Sequence, residues 1–112
     1  MAQAGYLRSE EEGFEAIVIL DESTGDSLEF QRSLDSTADG SLDGSMGTYC
    51  LVRAAGPAIY GGVESWSVGV GELVLRLTAE ASGVLELPTE THVQLDPGAV
   101  EVIVERLPQI LR

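Results

Sequence analysis

The chain contains no lysine, a single cysteine, a single histidine and a single tryptophan in 112 residues. Each scarcity narrows what it can be. With Cys50 alone, no disulfide forms within the chain, and a reducing cytoplasm is the expected compartment. Zinc sites built from clusters of Cys and His are excluded by the same count. The longest unbroken apolar run, Ala16 to Leu20, is far shorter than the roughly 20 residues that span a bilayer. The opening "MAQAGYLRSEEEG" shows no apolar stretch followed by a cleavage site, so no signal peptide is expected. Positive charge is scarce: six arginines face 19 acids, for a formal charge of −13. Such a surface repels nucleic acid and anionic membrane and attracts basic partners.

What remains is a β-rich chain of a length that suits one domain, residues 1–112. Residues 1–13, with Glu10, Glu11 and Glu12, read as a solvated lead-in. "FEAIVIL" (14–20) is apolar on both faces from Ala16 onward, the pattern of a strand covered on both sides. "DESTGD" (21–26) is a turn, and "SLEFQRSL" (27–34) alternates as a half-buried strand. "DSTADGSLDGSMG" (35–47) has little to bury and reads as a mobile loop. "TYCLVRA" (48–54) is a strand. In "SVGVGELVLRLT", Gly69 and Gly71 make a hairpin turn before a strand lined by Leu73, Leu75 and Leu77.

The period then changes. Thr78 can cap a short helix carrying Ala81, Val84 and Leu85, and Gly83 weakens it. "TETHVQL" (89–95) alternates again. Asp96 and Pro97 open the clearest helix, with Val100, Ile103, Leu107 and Ile110 on one stripe. Pro108 is expected to kink or end it near Leu107. The fold class is α+β, mostly β: one twisted antiparallel sheet of six or seven strands, with the short helix and a C-terminal helix packed on one face. Trp66 joins the leucines, Ile103 and Leu107 in the expected core.

The candidates for chemistry fail one after another. His92 falls on the outer face of its strand, and nothing ties it to Ser65 or Ser67 as a catalytic base needs. Cys50 sits in a strand, where an unreactive thiol is the common outcome. Glu64, near Trp66, could be a general acid in an apolar pocket, but an acid at a sheet edge or bulge fits its neighbours better. Asp35, Asp39 and Gly40 follow a calcium-loop pattern, yet Thr37 and Met46 occupy positions where ligands belong. "GVG" (69–71) lacks the lysine and helix of a phosphate loop. No catalytic, cofactor-binding or metal-binding residue is assigned. Gly61-Gly62, inside a strand pattern, reads as a sheet-shaping pair rather than a ligand cradle.

Three stretches, "GSMGTYCLV" (44–52), "YGGVESWSV" (60–68) and "ELVLRLTAEASGVLEL" (72–87), then a strand and a helix, resemble the immunity protein 10 family of bacterial polymorphic toxin systems. The resemblance covers most of the chain from about residue 14, and the order of the motifs carries it. It implies an antidote that binds a cognate protein toxin, with no catalytic residues and no cofactor. Many such toxins are nucleases with basic clefts, which an acidic partner suits. The clusters free to bind are Glu10, Glu11 and Glu12, and Asp35, Asp39 and Asp43. A homo-oligomer is possible but not indicated. The alternative is a small ligand-binding or enzymatic domain using a pocket between sheet and C-terminal helix.

Overall fold

The computed structural model describes residues 1–33, 49–54 and 56–111. Their order is β1 (Ala2–Ser9), β2 (Phe14–Asp21), β3 (Asp26–Ser33), β4 (Cys50–Arg53), β5 (Ala58–Tyr60), β6 (Val63–Val68), β7 (Glu72–Leu77), α1 (Ala79–Leu85), β8 (Glu90–Gln94) and α2 (Pro97–Leu111). The class is α+β, dominated by antiparallel strands, but the strands form two sheets, β1-β2-β3-β4-β5 and β6-β7-β8. The expectation of one continuous sheet is therefore corrected.

The cause lies at Gly61 and Gly62, where the chain leaves the first sheet and enters the second. Both have positive φ, 73° and 100°, a region that side chains with a Cβ rarely adopt. A Cβ on Gly62 would stand 2.7 Å from the Ala81 Cβ, so α1 also fills the space a side chain needs. Hydrogen bonds fix the crossing. Gly61 N–H donates to the Tyr49 carbonyl, Thr78 N–H to the Gly62 carbonyl, and Val63 N–H to the Tyr49 hydroxyl at 2.8 Å. At the other side of the molecule, Ala2 bridges Leu95, and Asp96 N–H donates to the Ala2 carbonyl.

The segment expected to be a solvated lead-in is instead mostly strand: β1 pairs with β2 along its whole length, from Ala2↔Asp21 to Ser9↔Phe14. Glu10 to Glu12 lie beyond the strand, exposed at the hairpin tip. The ladder holds because Ala2, Ala4 and Tyr6 share the face turned to the core.

One apolar cluster lies between the sheets and the helices. The first sheet gives Ile17, Ile19, Leu28, Phe30 and Leu51, the second Leu73, Leu75 and Leu77, and the helices Ala81, Leu85, Ala99, Ile103, Leu107 and Ile110. Trp66 is only half-buried at its edge. The α2 stripe packs mainly on β1, β2 and β3. Pro108 does not end this helix, which runs to Leu111. It stands on the exposed side, and Val104, whose carbonyl loses its partner, is exposed as well, so water replaces the missing donor. Thr78 caps α1 as expected, its hydroxyl accepting from Ala81 N–H at 3.1 Å.

Candidate functional site

Arginine placement organises the surface. Arg53 reaches Asp26 with two nitrogens, at 3.0 and 3.3 Å, and also donates to the Leu85 and Glu86 carbonyls at the end of α1. Asp26 is held below its ordinary carboxylate range, chiefly by that hydrogen-bonded guanidinium. Arg76 pairs with Glu90 at 2.8 Å, Arg8 with Glu10 at 3.7 Å, and Arg32 donates to the Ile110 carbonyl. Arg106 stacks over the Tyr6 ring, 4.4 Å from its centroid. Every arginine among the described residues thus has an intramolecular contact, while the acids outnumber the arginines threefold.

A row of acids stands at a hairpin tip, where Arg8 reaches Glu10 and Glu11 and Glu12 stand beside it. Gly13 N–H closes the β1–β2 turn on the Ser9 carbonyl at 2.8 Å, and Glu12 N–H bonds the Ser9 hydroxyl. Glu10, Glu11 and Glu12 are exposed on this turn. Asp35, Asp39 and Asp43, the calcium-like pattern and the loop expected over 35–47 lie outside the described residues. Ser33, just before them, pairs with Phe14 beside the glutamate tip.

The two sheets turn unlike faces outward. On the second, Glu72, Arg76, Glu90, His92 and Gln94 form a cross-strand network. His92 Nε2 lies 2.8 Å from Glu90 and its Nδ1 3.3 Å from Glu72. These carboxylates, Glu90 first, hold the imidazole above its usual 6.5. Gln94 donates to Glu72.

The first sheet's outer face is apolar. Two rows cross it in register: Gly5, Val18, Glu29, Val52, Ala58, and Leu7, Ala16, Gln31, Cys50, Tyr60. Phe14 and Leu20 lie above and below on β2. Leu7, Leu20 and Tyr60 are 53%, 40% and 61% exposed, which large apolar groups on a covered face would not be. Among the described residues no helix or strand packs there. Of the outward residues of β2, Ala16 is fully buried, Phe14 and Val18 are half-buried and Leu20 is exposed, so the reading of β2 as covered on both sides fails at its Leu20 end.

The residues weighed for catalysis are not brought together. Val74 separates Ser67 from His92 in the register, placing them about 10 Å apart by strand spacing. Burial, then Glu29, pushes the Cys50 thiol up, opposite to the shift that makes a nucleophile. Glu64 is exposed at the register shift between Val63 and Ser65, the bulge position its neighbours suggested. The interface of sheet and C-terminal helix is filled by Ile103, Leu107 and Ile110. A cavity of about 400 Å³ instead opens between the β2–β3 turn and β8, lined by Asp21, Asp26, Leu28, Leu87, Thr91 and Val93 among others. Its two aspartates already serve Ser23 and Arg53. No cluster of three metal-ligating side chains occurs among the described residues, and no helix among them is long and apolar enough to cross a membrane.

A family model, Immunity protein 10, matches residues 1–103, from β1 into the middle of α2. No curated protein and no solved structure matches the chain.

Proposed function

The chain belongs to the immunity protein 10 family, and on that basis we propose that it neutralises a cognate toxin in the cytoplasm by stoichiometric binding, without turnover of its own. The observation that carries the mechanism is the charge distribution. Arginines are engaged within the chain, Arg8 with Glu10 among them, and the remaining carboxylates, Glu11 and Glu12 at that tip above all, are left for a basic partner. A nuclease domain with a basic cleft is the toxin class that this surface complements. Rim acids speed association through steering, while carboxylates desolvated against arginine or lysine slow dissociation.

The test uses the toxin domain encoded beside the gene, in a catalytically inactive form. Association is followed at increasing salt, for the wild type and for Glu10, Glu11 and Glu12 each changed to lysine together. The expected result is tight binding whose on-rate falls as salt rises and falls further in the reversed variant. Equal on-rates at every salt concentration remove the electrostatic mechanism. Failure of the wild type to bind the toxin, or to protect cells that express it, removes the antidote reading.

A further inference from the structure

The geometry points to the outer face of the first sheet as the surface on which the toxin docks, with Glu29 at its centre pairing with an arginine or lysine of the toxin. The inference rests on the antidote reading and adds the surface, the central residue and the chemistry of the partner.

Three observations converge. The face is largely apolar and exposed at Leu7, Leu20 and Tyr60, while Ala16 at its middle is buried. Leu7, Phe14, Val18, Leu20, Val52 and Tyr60 line it, three of them 40% exposed or more. A contiguous apolar patch of this kind on a chain of −13 is unusual unless something covers it. Five strands at about 4.8 Å spacing, up to eight residues long, give roughly 20 by 25 Å. That is more than half of the ~800 Å² per partner of a standard interface, and the glutamate tip borders it.

The second observation is the sign of its charge. Arg8, Arg32 and Arg53 all belong to this sheet, yet register places each on the opposite face, with Glu15, Phe30 and Leu28. Glu29 is the one charged side chain among the described residues of the two outer rows. It stands between Val18 and Val52 and accepts a hydrogen bond from Gln31. A carboxylate with apolar flanks and no cation is incomplete when covered by an apolar surface, and complete when the covering surface brings a guanidinium or ammonium. The second sheet offers the contrast, its outer carboxylates already paired with Arg76 and His92.

Third, charge decides between occupants. A second copy would set Glu29 and Glu10–Glu12 against their own like in a complex of two −13 chains. A basic partner removes that repulsion. The concavity of about 310 Å³ at one end, lined by Glu12, Phe14, Gln31, Arg32, Cys50 and Tyr60 among others, gives such a partner a place for one uncharged projecting side chain.

The test compares Glu29→Gln and the double variant Leu7→Gln, Tyr60→Ser with Val104→Gln, which alters an exposed apolar group on α2. Each is first melted, then titrated with the inactive toxin domain. Docking on this face predicts melting temperatures near that of the wild type. It predicts a dissociation constant raised about 30-fold or more for Glu29→Gln, as for a central hot-spot residue, and about 10-fold for the double variant. Val104→Gln binds as the wild type. Wild-type binding that neither face variant weakens overturns the inference and leaves the antidote reading standing. Melting temperatures lowered as by a core truncation overturn it too, because the face is then covered by the chain itself. So does sedimentation of the free protein as a dimer that the face variants dissociate. A wild type that does not bind the toxin removes both readings.

Discussion

The Tyr6 hydroxyl donates a 2.7 Å hydrogen bond to the Glu15 carboxylate, diagonally across the β1–β2 pair. Glu15 is 8% exposed, the one buried acid among the described residues, and Arg106 of α2 lies over the same tyrosine ring. One aromatic side chain thus joins the first strand, the second strand and the last helix. Tyr6→Phe keeps the ring and removes the hydroxyl, leaving a buried carboxylate short of a donor. It should lower stability by about 1–2 kcal/mol in urea denaturation, while Leu7→Gln, its outward neighbour, changes the midpoint little.

The glycine crossing makes a sharper demand. Gly62→Ala meets both the φ of 100° and the Ala81 Cβ, and a loss of about 2–4 kcal/mol is expected from strain and overpacking together. Gly83→Ala, with open space around its Cβ position in α1, should gain up to about 1 kcal/mol. Denaturant midpoints for the two decide it. Equal behaviour would show that the crossing is not strained against a side chain.

Ile103 is fully buried and Val104, beside it on α2, is 53% exposed. Truncation to alanine should cost about 2–5 kcal/mol at Ile103 and within about 0.5 kcal/mol at Val104. Similar losses at both positions would mean that α2 is seated differently on the sheet.

Two ionic groups give opposite pH dependences. Asp26 is depressed by Arg53, so its contribution is present above the ordinary carboxylate pKa and is lost as pH falls through the folded value. Asp26→Asn should flatten the acid limb of the stability curve below about pH 4. His92 is raised by Glu90 and Glu72. Its contribution is complete below 6.5 and disappears as pH rises through the folded value. Melting followed from pH 5 to 9 should show a small decline above 6.5 that His92→Gln removes, and an NMR titration of the ring should give a midpoint above 6.5. Exposure keeps the His92 effect small.

The sequence made the strands visible where alternation was strong. β3 and β7 carry Leu28, Phe30, Leu73, Leu75 and Leu77 on one face, and the α2 stripe was equally plain. β1 was hidden because its inward residues are the small Ala2 and Ala4 and because three glutamates follow it. Gly61-Gly62 signalled a bend, but whether a bend kinks one sheet or starts another depends on what packs beneath it, here Ala81 of α1. Pro108 does not end α2, because helix termination also depends on which side faces water. The apolar outer side of β2 was legible in "FEAIVIL". That Leu20 stands exposed on it while Ala16 is buried was not, since periodicity records an apolar face and not what lies against it. Asp26 was missed as a structural acid for the same kind of reason: Arg53, its partner, is distant in sequence.

In both sheets every pair of neighbouring strands is also consecutive in the chain, and the glycine crossing separates one meander from the other. The pairs joined by short turns, β1–β2, β2–β3 and β6–β7, can therefore zip on the microsecond scale of hairpin formation. The isoleucines of the first meander are covered mainly by α2, which follows the second in the chain, so the slow event is the docking of that helix with its own plate onto the first, in an orientation the glycines have already restricted. Stiffening the crossing in the right conformation should quicken folding, and loosening it should slow folding while leaving each plate intact.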